Sequence, residues 1–415
     1  MKRFCYPVLL TVLLFAVDCE SAHAETTADL KSNLSVAGYG TVGAIYHDQQ
    51  GIEYRRDGWQ RHGAEAGELD FTTDSRFGLQ VNAKLTSSLE VVVQQEAAYY
   101  RDGEVRPEIN LGLLKFSPND DFTLRLGRLS ADIYMTADTR GVGYSSMMIR
   151  PPIEVFGIIS AQRFDGADVV LRTELGEDQR IEAKMFAGAL RGKLVGDDLS
   201  SFNLDGSRVI GGHFQYSHSG FDVRVGAARV KFAHESPAAP LQGALRQIGT
   251  VEALQSADAL SYKDRTFEFY TLGVLYSVET LQSQLLYSHS RTSDPGIDVP
   301  DVAMFSVGNR YGVFTPYVGY SAAWNDHPQL GTGLSDAAGP QVAQLNAAMR
   351  LAADIARVRQ YSFAVGVRYD FMPRLALKSQ VDRVNVVDSA VLLDKAEPLR
   401  NRSFWVYSLA LDFIF

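Results

Sequence analysis

The stretch that decides the fold is the last one, Ser403-Phe-Trp-Val-Tyr-Ser-Leu-Ala-Leu-Asp-Phe-Ile-Phe415. Counting back by twos from Phe415 gives Phe413, Leu411, Leu409, Tyr407 and Trp405, one wholly apolar and aromatic row. The residues between them, Ile414, Asp412, Ala410, Ser408, Val406 and Phe404, are mixed. A period of two with one apolar side is the pattern of a strand whose faces meet different solvents. A soluble sandwich has no evident reason to end on such a strand.

The beginning of the chain supplies the compartment. Lys2 and Arg3 precede an apolar run over 8–17, and Ala22-His23-Ala24 offers small residues at a cleavage site. This reads as a secretory signal peptide removed after Ala24, its apolar run too short to span a bilayer. Asp18 argues against lipid attachment at Cys19, since a small residue is expected there. Both cysteines, Cys5 and Cys19, fall in that segment, so the exported chain 25–415 is read as one domain without disulfides or thiolate chemistry. The net charge of −9 gives no nucleic-acid footprint. No apolar stretch after residue 24 approaches the length of a membrane helix. An exported chain, rich in aromatics at alternate positions and lacking such helices, points to an antiparallel transmembrane β-barrel.

Walking along the chain gives sixteen alternating segments. They fall at 34–46, 75–85, 89–99, 108–116, 122–128, 163–175, 180–190 and 208–218, then at 221–231, 265–278, 280–291, 301–311, 314–324, 357–370, 374–384 and 403–415. Seven tight turns alternate strictly with eight longer connections. Pro118-Asn119-Asp120-Asp121 and Ser219-Gly220 are among the turn signals. An even count returns both termini to one side, as closure requires. Fourteen or eighteen strands are the alternatives. Closure answers the opening pattern: the last strand pairs with the first and removes both sheet edges. Two long connections also carry helical patterns, at 241–260 and 340–358, the second with Val342, Leu345, Ala348 and Leu351 on one side.

The terminal strand, with Phe415, Phe413 and Leu411 in its apolar row, resembles the last strand of Gram-negative outer-membrane proteins. That resemblance implies recognition by the barrel assembly machinery. Three further stretches resemble the general bacterial porins: DSRFGLQ at 74–80, LRLGRL at 124–129 and VGVRYDFMPRLALK at 365–378. The resemblance implies a bacterial outer-membrane location among lipid and lipopolysaccharide, a homotrimer, and passive diffusion of small polar solutes and ions. It also implies that the long third loop folds into the lumen and narrows it. Here that loop departs from the enterobacterial pattern, reading MMIRPPIEVFG at 147–157, so its geometry cannot be copied from relatives.

Parity turns Arg76, Lys84, Glu90, Glu96, Arg125, Arg172, Glu174, Glu182, Lys184, Arg224, Arg368, Lys378 and Asp382 toward the lumen. The third loop adds Asp132, Asp138 and Glu154 against Arg140 and Arg150. The expected pore lining is therefore Arg76, Arg125, Arg172 and Arg224, with Arg76 and Arg125 facing Asp132, Asp138 or Glu154 across a constriction. Ordinary pairing of wall charges for solvation is the competing explanation. Transport of this kind calls for no cofactor and no metal. His213 has lumen parity near Ser217, but no acid is spaced in sequence to orient it, so the chain is not read as an enzyme. A substrate-selective channel and a barrel-anchored adhesin are the remaining alternatives. The first strand starts too early to leave room for a plug domain.

Overall fold

The computed structural model describes residues 33–100, 103–157, 163–195, 201–292, 299–325, 330–389, 391 and 400–415. The proposed signal peptide and the loop acids Asp197 and Asp198 lie outside them.

Sixteen antiparallel strands form one closed barrel. They are β1 Leu34–His47, β2 Arg76–Lys84, β3 Leu89–Tyr99, β4 Val105–Phe116, β5 Phe122–Ser130, β6 Arg163–Gly176, β7 Gln179–Leu190 and β8 Arg208–His218. The second half comprises β9 Phe221–Lys231, β10 Thr266–Val278, β11 Leu281–Thr292, β12 Asp301–Asn309, β13 Phe314–Trp324, β14 Arg359–Met372, β15 Leu375–Val386 and β16 Arg402–Ile414. Every strand lies beside its sequence neighbours, and β16 returns to β1. The first half of β1 pairs with β2, from Leu34 against Ala83 to Thr41 against Arg76. Its second half pairs with β16, from Tyr39 against Ile414 to His47 against Val406. That offset is the stagger by which tilted strands close a cylinder.

Sequence alternation maps onto the two faces. Along β16, Trp405, Tyr407 and Leu409 are exposed while Phe404, Val406, Ser408 and Ala410 are buried. Val42, Met185, Ile210, Val225, Phe305 and Val365 continue the exposed apolar exterior around the barrel. At the Ser219-Gly220 turn both residues have positive φ, 47° and 81°. That is the backbone of the two-residue hairpin whose twist matches its strands, and glycine takes its second position without strain.

Two long loops pack together as a helical layer. They supply α1 Ala239–Ile248, α2 Val251–Ala259 and α3 Pro340–Ala356. Gly249 ends α1 in the left-handed conformation, and the Thr250 hydroxyl caps α2 by accepting from Ala253 N–H. Leu245, Ala253, Ala257, Leu260 and Met349 form the shared apolar cluster. The buried face of α3 is Val342, Asn346, Met349 and Ala353. Of the expected row only Val342 is fully buried; Leu345 and Ala348 are half-buried, and Leu351 is 44% exposed. The helix turns its Asn346 inward because that amide bonds the Leu334 carbonyl and Asp336.

The interior departs from simple polar filling. Leu129, Tyr134, Phe156, Phe164, Phe186, Phe267 and Met304 belong to one large buried cluster. Tyr134 meets Phe156 edge to face at 5.8 Å. Part of the barrel is thus packed like the core of a soluble protein. Inward parity does not by itself mean contact with water, because a loop can supply the other wall.

Candidate functional site

The third loop, 131–157, is bonded in turn to wall strands on opposite sides of the barrel. Near β7 to β9, Asp132 accepts from Lys184 at 3.2 Å and Arg224 at 2.9 Å. Burial works to raise Asp132, yet those two cations and His213 hold it below the usual carboxylate range. The Ile133 carbonyl then accepts from Thr271 on β10 at 3.2 Å, and Thr136 Oγ1 accepts from Gln284 on β11 at 3.1 Å. On the other side, Lys378 of β15 donates to the carbonyls of Gly143 and Met148 at 2.7 and 3.1 Å. Gly143 lies so close to Thr41 and Asp412 that no side chain fits there. Arg368 of β14 donates to the carbonyls of Tyr144 and Ser146 at 2.6 and 2.9 Å.

Arg150 is a buried anchor. Its guanidinium donates to Asp74 at 2.7 Å, to Asp382 at 3.4 Å and to Ser408, above the ring of Tyr54. Burial works against its charge, but the two carboxylates raise its pKa overall. Asp74, also pushed up by burial, is held low by Arg150 and Arg56. Glu154 accepts from Ser321 and Gln360, each at 2.8 Å, and from Ser362. The cavity remaining beside Arg150 and Glu154 is only about 20 Å³, which is room for about one water. The β13–β15 side is therefore filled.

A larger cavity lies against β2–β7. It is a cavity of about 330 Å³, lined by Arg76, Glu96, Arg125 and Lys184 on the wall and by Asp138 and Arg140 on the third loop. The first loop also reaches it through Arg56 and Asp57. Arg125 forks onto Asp168 of the adjacent strand, at 2.8 Å through Nε. Arg76 lies 3.8 Å from Glu96, which also accepts from the Tyr39 hydroxyl at 2.9 Å. Position inside the barrel, and then the neighbouring Asp132, push Asp138 up.

The expected residues are thus divided. Arg76, Arg125 and Asp138 share the open cavity. The expected pairing of Arg76 and Arg125 with loop acids is not the one found, since each takes a wall carboxylate. Asp132 and Glu154 are spent on holding the loop. Arg224 is one of the bonds on Asp132, and Arg172 pairs with Glu182 at 2.8 Å. Sequence reading missed Arg56, Asp57, Asp74 and Asp168. Asp168 shares the parity of Arg172 and Asp74 that of Arg76, so signals existed for both; the inward path of the first loop, which brings Arg56 and Asp57, left none. His213 does have acids beside it, 3.8 Å to Asp132 and 3.6 Å to Glu182, both contributed by other elements. Ser217 instead donates its hydroxyl to Asp222, so the two are not arranged as nucleophile and base. Among the described residues, no cluster of His, Cys, Asp and Glu has metal-binding geometry.

No family model matches the chain. No curated protein matches it in sequence. Solved structures do. OmpF of Salmonella typhi in complex with daunomycin aligns over 92% of this chain and 98% of its own, at 13% identity and TM-score 0.54. The anion-selective porin of Comamonas acidovorans aligns over 92% and 99%, at 14% identity and TM-score 0.52. OprB of Pseudomonas putida aligns over 94% and 96%, at 11% identity and TM-score 0.52. At such identities the likeness is one of architecture, and the chain has the closed-barrel fold of the bacterial porins.

Proposed function

We propose that the protein is a passive channel of the bacterial outer membrane for small polar solutes and ions. The observation that carries this reading is the asymmetric interior. One side is sealed by the Arg150 and Glu154 networks, and the other keeps a polar cavity of about 330 Å³ beside a loop fixed at many points. A closed barrel with an apolar exterior leaves no sheet edge in lipid, which suits it to a bilayer. Export through the signal peptide cleaved after Ala24, delivery to the barrel assembly machinery through the Phe415 strand, contact with lipopolysaccharide, and a homotrimer belong to the same reading. Solutes move down their gradients past wall and loop charges, whose local field sets preference. Arg76, Arg125, Arg140 and Asp138 are the proposed lining of the path, and Asp132, Arg224 and Glu154 its scaffold.

The test is single-channel recording of the purified, folded protein in a planar bilayer. Stable conductance steps grouped in threes are expected. Folded, inserted protein that conducts nothing would overturn the channel reading and favour an anchor whose loops bind a partner.

A further inference from the structure

The open cavity is lined by more basic than acidic side chains, and two of the bases lack a complete set of partners. Arg56, Arg76, Arg125, Arg140, Arg163 and Lys184 line it, against the carboxylates Asp57, Glu96 and Asp138. Four of those cations have close partners. Arg125 is forked on Asp168, Lys184 reaches Asp132 at 3.2 Å, Arg163 reaches Glu108 at 2.6 Å, and Arg56 reaches Asp74 at 3.4 Å.

Arg76 and Arg140 are different. The Arg76 side chain is only 6% exposed and meets Glu96 at a long 3.8 Å, while its Nε has no hydrogen-bond partner. Nη2 of Arg140 is likewise buried without one, and no described carboxylate forms an ion pair with this residue. The two approach each other from loop and wall. A Cβ on Gly141, the residue after Arg140, would lie 2.8 Å from Glu96 Oε2 and 3.5 Å from the Tyr39 hydroxyl. Arg56 fixes the loop from the other side by donating to the Arg140 carbonyl at 3.1 Å. Burial, and then Arg76, lower Arg56 to about 10 against Asp74 and Asp57; burial lowers Arg140 to about 10, with Asp57 and Glu96 opposing and Arg76 adding to it, and both stay charged at neutral pH.

A buried guanidinium N–H without an acceptor is costly, and water can satisfy the donor but not the charge. A small oxyanion satisfies both, since guanidinium donors match the geometry of carboxylate, phosphate and sulfate oxygens. We propose that Arg76 on the wall and Arg140 on the inward loop form a binding site for small oxyanions, and that this site makes the channel favour anions. The selectivity half of this statement rests on the channel reading; the binding half does not. Loop and wall here each contribute a base to one cavity, beside the loop acid Asp138 and the wall acid Glu96.

The test uses the full folded protein and the variant Arg140→Gln, with Arg246→Gln on the exposed α1 as control. Reversal potential across a KCl gradient is expected to show anion preference in the wild type. The preference falls roughly fivefold in Arg140→Gln, the scale of one unit charge at close range in water. It is retained in Arg140→Lys and in the control. Independently, sulfate raises the thermal unfolding midpoint above that in KCl of equal ionic strength by more in the wild type and in Arg246→Gln than in Arg140→Gln, the remainder being the general stabilisation sulfate gives any folded protein. A conducting wild type that is unselective or prefers cations overturns the proposal, as does an Arg140→Gln variant with unchanged selectivity. Should the folded protein insert without conducting, the channel reading fails and the sulfate comparison decides alone: a smaller shift in Arg140→Gln than in the wild type supports the site, and equal shifts remove it.

Discussion

Gly38 and Phe415 close the barrel as a hydrogen-bonded pair. Gly38 N–H donates to the Phe415 carbonyl at 2.9 Å, and Phe415 N–H donates back to the Gly38 carbonyl at 3.0 Å. The phenyl ring covers the place a Cβ on residue 38 would occupy, and it stacks on Phe77 at 6.1 Å. Gly40 stands in the same relation to the ring of Phe413. The seam is therefore built from glycines on one strand and aromatics on the other.

Replacing Gly38 by Leu should force the Phe415 ring off the seam. Overpacking of this kind costs about 1–3 kcal/mol. A lower thermal midpoint of the folded barrel is expected, read by the change in electrophoretic mobility on heating. Val36→Leu, at an exposed position of the same strand, should leave the midpoint unchanged.

Arg150→Met should be the most damaging single change in the third loop. It leaves Asp382 buried without its cation, and Asp74 with Arg56 alone. Breaking a buried pair by removing one partner costs about 3–5 kcal/mol. Denaturant unfolding should show that loss, and single-channel conductance should rise as the loop loosens. Adding Asp74→Asn to Arg150→Met should recover part of the stability, because one uncompensated charge is gone.

Acid should loosen the same loop through Asp74. Its pKa in the folded protein is depressed, so its contribution is fully present above the ordinary aspartate value of about 4. That contribution is lost as pH falls through the depressed value, where the unfolded chain already binds its proton. Unfolding midpoints measured down an acid series should hold to about pH 4 and then decline. A decline of the same size in Asp74→Asn would show that another group is responsible.

Glu154 should tolerate Gln better than Ala. Three donors converge on its carboxylate, from Ser321, Gln360 and Ser362. Alanine leaves them unsatisfied in a buried place, at about 1–3 kcal/mol each. Glutamine keeps one acceptor oxygen and most of the volume. Chemical denaturation should rank wild type above Glu154→Gln and both above Glu154→Ala.

The division between what could be read and what could not follows from the range of each interaction. Strand number, strand bounds to within a few residues and the alternation of turns and loops are local properties, set by period-two hydrophobicity and by turn residues such as Ser219-Gly220. Closure follows from them, because sixteen antiparallel strands with unpaired edges cannot stand in lipid. The inward direction of Arg76, Arg125, Lys378 and Asp382 was equally legible, since strand parity carries it. Their partners were not. Lys378 lies 235 residues from the Gly143 carbonyl it bonds, and Arg150 lies 232 from Asp382. Nothing local encodes such a separation.

Only the tertiary structure decided which half of the barrel is filled and which stays open. A charge on the inner wall can face water, a strand neighbour or a folded-in loop, and sequence parity is the same in all three cases. Asp132 and Glu154 carry the acidity expected of a pore but are used to pin the loop, whereas Arg140, on the same loop, is left facing the cavity. The sequence determined the cylinder because its alternation is a property of neighbouring residues. The path through it depends on where one loop docks, and that is a sum of contacts from strands across the whole chain.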